Sequence, residues 1–213
     1  MDGQAFNLEE SLSRLRTGDK SALAELFSRH RDRLWHIVDV KLDHRLRGRV
    51  DADDVLQEVY LDAADRIEHF INEHSGSLFV WFRLITTQTI TNVHRRHLNA
   101  KMRDAKREFS IYSSHQEQPA STSLAFQLLG HLTSPSRAAM REEIASKLED
   151  AIQSMDPIDR EVLTLRHMEQ LTNLEVAEVL GIQIKAASIR YVRALKRLKP
   201  IIEGIPGLSD NSS

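Results

Sequence analysis

The chain has 213 residues, enough for one large helical domain or two small ones. It is 41% hydrophobic and 28% charged, an ordinary balance for a water-soluble helical protein, and its lack of cysteine excludes disulfides and thiolate zinc sites. The formal charge of −2 argues against nucleic-acid binding only if charge is spread evenly along the chain, and it is not.

The opening segment MDGQAFNLEESLSRLRTGD mixes acids with apolar residues. It has neither the basic start nor the unbroken apolar stretch of a signal peptide. No run of about 18 apolar residues occurs. With no cysteine, a reducing intracellular compartment is expected, and no membrane partner.

From Ser21 to Val40, Leu23, Leu26, Phe27, His30, Leu34, Ile37 and Val38 recur at spacings of three and four, which predicts an amphipathic helix introduced by Thr17-Gly18-Asp19. A second helix is expected from Ala52 to about Phe70, with Val55, Val59, Ala63 and Ile67 as its apolar stripe. This helix is acidic at its start. Asp51, Asp53, Asp54, Glu58, Asp62 and Asp65 precede any lysine or arginine, and positions 51, 54 and 58 share a face. Such a face would repel DNA and suits a basic protein surface. Taken alone, the stretch fits better as a solvated face whose first-turn acids favour a helix N-terminus.

A third helix is predicted from Leu78 to beyond Arg103. It carries Arg83, Arg95, Arg96, Lys101 and Arg103, and Lys106 and Arg107 follow, against the single acid Asp104. Aromatic residues Phe79, Trp81 and Phe82 precede the cations, with Thr87, Gln88 and Asn92 in between. Cations follow phosphates, amides and hydroxyls bond to base edges, and rings stack on exposed bases, so melted DNA is a suitable partner. The aromatic residues also fit a simple core role.

Between Phe109 and Ser136 the helical period fades into a Ser-, Thr-, Gln- and Pro-rich stretch, read as a flexible linker. Patterning resumes at Arg137, with Ile144, Leu148, Ile152 and Met155 on one face. Asp156, Pro157 and Asp159 read as the cap, first-turn proline and acidic first turn of the helix carrying Val162, Leu163 and Leu165. Thr172 or Asn173 can cap a short helix with Val176, Ala177 and Leu180, and Gly181 supplies the turn. In the next helix Ile184, Ala187, Tyr191, Ala194 and Leu198 form an apolar face. Lys185, Ala186, Ser188, Arg190, Arg193, Lys196 and Arg197 lie around the rest. A short helix, a glycine turn and a longer basic helix predict a helix-turn-helix that places one helix in the major groove. The tail from 201 to 213 reads as a frayed end.

Three of these stretches, in this order, resemble one family. DADDVLQEVYLDAADRI (51–67) is similar to the polymerase-binding segment of sigma-70 family transcription factors, with its Asp-x-x-Gln-Glu run at Asp54, Gln57 and Glu58. FVWFRLITTQTITNVHRRH (79–97) resembles the segment that melts and reads the minus-ten element, and Ser154 to Lys199 resembles the domain that reads the minus-35 element. The compact size is that of the extracytoplasmic-function group. KMRDAKRE and AASIRYVRALKRL are also similar to factors abundant in planctomycete-type bacteria.

The resemblance implies an all-α chain with a region 2 helical bundle at 1–108, a flexible linker at 109–136 and a region 4 helix-turn-helix at 137–200. It implies a cytoplasmic initiation factor, not an enzyme, without metal or other cofactor. Its partners would be the beta-prime and beta subunits of core polymerase, promoter DNA and an anti-sigma factor. Polymerase binding falls on Asp51, Asp54, Gln57 and Glu58. Minus-ten contact falls on Trp81, Arg83, Thr87, Gln88, Asn92, Arg95 and Arg96, and minus-35 contact on Lys185, Ala186, Ser188, Arg190, Arg193 and Lys196. Thr87, Asn92 and Ser188 depart from residues frequent in the family, so the base sequences of both elements do not carry over. Two other readings compete: a stand-alone operator-binding regulator, and a metal hydrolase suggested by ten histidines. His94 and His97 share a helix face, but arginines surround them and no HExxH run accompanies them.

Overall fold

A computed structural model describes residues 8–43, 45–46, 48–73, 76–105, 124–125 and 138–203. The side chains of Leu8, Glu73, 98–105 and 138–142 are not among those described. The described residues form eight named helices: α1 (Leu8–Arg16), α2 (Lys20–Lys41), α3 (Ala52–Glu73), α4 (Leu78–Ala105), α5 (Ala138–Gln153), α6 (Pro157–His167), α7 (Asn173–Leu180) and α8 (Ile184–Glu203). The chain divides into two compact units, Met1–Ile111 and Tyr112–Ser213. Of the segment read as a linker, only Leu124 and Ala125 are described, both helical and buried. The remainder of that segment, Lys106, Arg107 and the tail beyond Glu203 lie outside the described residues.

In the first unit α2, α3 and α4 pack pairwise, because each has an apolar stripe too wide to leave in water. Leu26, Leu34, Ile37, Val59, Phe82 and Ile85 are almost fully buried. Burying a side chain such as Phe82 contributes on the order of 1.5–3 kcal/mol. Phe27 meets Tyr60 and Phe82 edge-on at centroid distances of 5.3 and 5.4 Å.

Helix α1 was not among the expected elements. Leu8, Leu12 and Leu15 are spaced for one face, but nine residues give too short a pattern to separate from a polar N-terminal run. Tertiary contacts hold it on α2. Gly18 turns the chain at φ +89°, a conformation that favours glycine. Asp19 then caps α2 by accepting from the Ser21 amide at 2.9 Å, and Arg14 donates to both Asp19 and Glu25 at 2.9 Å. Bonds from Ser21 and Arg14 hold the Asp19 carboxyl down at about 2.

In the second unit α8 packs against α5, α6 and α7. Leu148, Ile152, Val162, Leu163, Leu165 and Leu198 are fully buried at its centre. Asp156 caps α6 by accepting from the Ile158 amide at 3.0 Å, with Pro157 at the first helical position. Of the two candidate caps for α7 the structure uses Thr172. Its hydroxyl accepts from the Glu175 amide while the Glu175 carboxylate accepts from the Thr172 amide, a reciprocal capping box. Gly181 ends α7 in the left-handed region at φ +62°. Helix α8 continues three residues past Pro200.

Candidate nucleic-acid and protein interfaces

The start of α3 carries the acidic set. Asp51 precedes the helix and its carboxylate accepts from the Asp53 amide at 3.0 Å, so it serves as a cap as well as a surface charge. Asp53 is paired with Arg31 of α2 at 2.6 Å. Asp54 and Gln57 are exposed, and Glu58 is half-buried. Beyond them stands Leu61, 62% exposed and absent from the sequence-derived set. Leu61, Gln57, Leu56 and Tyr60 of α3 line a groove of ≈ 460 Å³ with Ala24 and Phe27 of α2. Spacing offered a signal for Leu61, since it stands four residues from Gln57. An open, largely apolar groove whose polar lining is Ser28, Gln57 and the Arg31–Asp53 pair suits a protein partner better than a polyanion.

On α4, Gln88, Thr91, Asn92, Arg95 and Arg96 are all exposed, and their spacing makes them one outward stripe. Arg66 of α3 donates to the Gln88 amide oxygen at 2.8 Å, and Arg95 donates to Asn92 at 2.9 Å. Arg96 reaches across to Glu58, joining the acidic and basic sets at their common edge. Thr87 is half-buried, and its hydroxyl oxygen has no hydrogen-bond partner among the described residues.

Two residues of the expected minus-ten set stand elsewhere. Trp81 is 6% exposed, with ring centroids 4.8 Å from Phe70 and 5.2 Å from Phe82. Its rings are spent on the core and are not presented to a base. Arg83 is likewise buried. The physical reason is periodicity: positions 78, 81, 82 and 85 form the buried face of α4, and the aromatic residues belong to it. The side chains of Lys101 and Arg103 lie outside the described set.

His94, weighed above as a metal ligand, accepts a hydrogen bond at Nε2 from the Asp43 amide at 3.1 Å. That bond commits the nitrogen to the backbone. Among the described residues no group of three or more histidine or acidic side chains is placed to hold a metal ion.

The helix-turn-helix comprises α7, the Gly181 turn and α8. Asn173 ties its two helices together, donating to the Ile184 carbonyl at 3.0 Å and to the Ser188 hydroxyl at 2.8 Å. On α8, Lys185, Ser188 and Lys196 are exposed and Ala186 is half-buried. Ile189 and Val192 are exposed by 56% and 50% and stand among these polar residues, though the sequence reading singled out neither. Ile184, expected on the apolar face, is exposed because it opens the helix one turn before the packed stretch begins.

Arg190 and Arg193 occupy the side of α8 that leans on α6. Both donate to Asp159, Arg190 at 2.9 Å and Arg193 through two nitrogens at 2.5 and 2.6 Å. The Arg193 pairing holds the Asp159 carboxyl below its ordinary value against the opposing effect of burial, with Arg190 assisting. Asp159 in turn raises Arg193. Nothing local in the sequence signalled this, because the partners lie 31 and 34 residues away.

A helical unit bearing adjacent acidic and basic stripes, together with a helix-turn-helix unit, is an arrangement suited to binding DNA and another protein. Residues 145–198 match the family model described as Sigma-70, region 4. The chain is 21% identical over 197 residues to the ECF RNA polymerase sigma factor SigW of Bacillus subtilis, covering 90% of this chain and 95% of that one. It is 25% identical over 198 residues to the RNA polymerase sigma-H factor of Pseudomonas aeruginosa, covering 91% and 95%. A solved structure of CnrH in complex with the cytosolic domain of CnrY aligns over 91% of this chain and 95% of its own, at 18% identity and a TM-score of 0.45. Residues 145–198 thus match a sigma-70 region 4, and over about nine-tenths of its length the chain is similar to sigma factors of the extracytoplasmic-function group.

Proposed function

We propose that this chain binds the RNA polymerase core and directs it to promoters, acting in the cytoplasm as a regulatory subunit that performs no chemistry of its own. In this reading Asp51, Asp54, Gln57 and Glu58 contact the beta-prime and beta subunits, with Leu61 and the groove behind it supplying apolar contact. Gln88, Asn92, Arg95 and Arg96 face the minus-ten element, with Thr87 beside them. Lys185, Ala186, Ser188, Lys196 and the outer edges of Arg190 and Arg193 face duplex DNA at the minus-35 element. An anti-sigma protein that covers either surface would hold the factor inactive. Among the described residues no helix is long and apolar enough to cross a membrane.

The observation that carries the reading is the adjacency of the two stripes on α3 and α4, which meet at the Glu58–Arg96 pair. A polymerase subunit docked on one stripe leaves the other beside it for DNA that the same polymerase opens. Each contact can be weak, since joining two binding units raises the effective concentration of the second once the first is engaged.

The test is charge reversal at Asp54, which is exposed and whose replacement leaves the core intact. Asp54→Lys is expected to weaken co-purification with core polymerase by roughly a hundredfold, since opposed like charges cost several kcal/mol. The Asp54→Lys, Glu58→Lys pair should abolish it, with helical content retained by circular dichroism. Undiminished co-purification of both variants would refute the assignment.

A further inference from the structure

The second unit holds a carboxylate beneath its most basic helix. Asp159 stands in the first turn of α6 and is 4% exposed, yet it belongs to a residue type that is rarely buried without a partner. Its partners are two arginines of α8. Arg193 grips it through Nε and Nη2, the fork geometry of a bidentate pair, and Arg190 Nη1 adds a third bond. Asp156 adds a second carboxylate 3.5 Å from the same nitrogen of Arg190. Among the described residues, by contrast, Lys185 and Lys196 of α8 have no ion-pair partner.

This arrangement has consequences for a helix that meets DNA. A cation that neutralises a phosphate releases condensed counterions, and the gain is sequence-independent. A guanidinium already neutralised inside the protein contributes little of it. A guanidinium has five N–H donors. The Asp159 bonds occupy one at Nε and one at Nη2, so three remain on Arg193, fixed in direction by the carboxylate behind them.

We propose that Asp159 is a specificity-determining positioning residue for DNA: together with Asp156 it offsets the charge of Arg190 and Arg193, and it aims their remaining donors, leaving unspecific phosphate attraction to Lys185 and Lys196. The proposal rests on the reading of the second unit as a duplex-binding domain. A purely structural latch between α6 and α8 would change stability without changing how binding responds to salt.

The experiment measures binding of the full chain to a random-sequence duplex of about 20 base pairs by fluorescence anisotropy over a range of KCl concentrations. Asp159→Asn retains one acceptor oxygen but removes the charge. It is expected to tighten binding at low salt several-fold and to steepen the slope of log K against log salt by about 0.9, the value for one charge. A slope unchanged or shallower, with helical content intact, overturns the proposal.

Two further variants decide the matter even if Asp159→Asn alone does not fold. Lys196→Gln should flatten the slope by about 0.9, and the Asp159→Asn, Arg193→Gln pair, which removes one charge of each sign, by much less. Equal changes for the two overturn the proposal and leave the DNA-binding reading standing. Absence of any salt-dependent binding by the unaltered chain overturns both.

Discussion

Glu58 with Arg96 in the first unit and Asp159 with Arg193 in the second are both carboxylate–guanidinium pairs between neighbouring helices, and they differ in how far water reaches them. The first pair has side chains about half exposed on both sides. In the second, the carboxylate is 6% exposed and bears three hydrogen bonds. An exposed pair contributes at most about 1 kcal/mol and can be exchanged for a partner's charges at little cost. A carboxylate shielded from water cannot release its arginines without a large desolvation penalty. The first unit therefore keeps its charges exchangeable, as the proposed polymerase surface requires, and the second keeps two of its cations fixed, as the proposed DNA-reading surface requires.

The contrast can be broken or sharpened by substitution. The largest effect is expected for Trp81→Ala, which should destabilise the first unit by about 3–5 kcal/mol in urea denaturation, because the ring fills the core against Phe70 and Phe82. A Trp81 that served only to stack on DNA would leave stability unchanged.

Asp159→Ala should cost the second unit about 2 kcal/mol at neutral pH, the scale of lost hydrogen bonds to charged groups. The Asp159 carboxyl is held below its ordinary value of 3.8 in the folded chain. Its contribution is therefore complete above that value and declines as pH falls through it toward the lower folded value. Acid titration of stability should show this decline in the unaltered chain, and Asp159→Asn should lack it. The smallest effect belongs to Arg96→Gln, expected to cost less than about 1 kcal/mol, with the difference vanishing at high salt.

The architecture was legible to the extent that apolar periodicity writes it. Helices α2, α3 and α4 and the helix-turn-helix fall where Leu26, Val59, Phe82 and Ala194 mark their faces, and Gly181 marks the turn. Helix α1 was missed because its stability comes from α2 and from the Arg14 clasp, not from its own nine residues.

The exposed candidates Asp54, Gln57, Gln88, Asn92, Arg95, Lys185 and Lys196 were legible as polar positions on amphipathic helices. Trp81 and Arg83 were not, because composition alone does not say which face of α4 an aromatic or an arginine occupies. Asp159 was read as a first-turn acid. Its burial under α8 depends on packing between elements some thirty residues apart, which no local pattern records.

Run-off transcription tests the central claim most directly, with core polymerase free of other initiation factors and a set of genomic DNA fragments as templates. The division of charge between α3 and α4 predicts discrete transcripts from fixed starts when this chain is added, and their loss when Asp54→Lys replaces it. Transcripts that are the same with and without the chain, on every template, would contradict it.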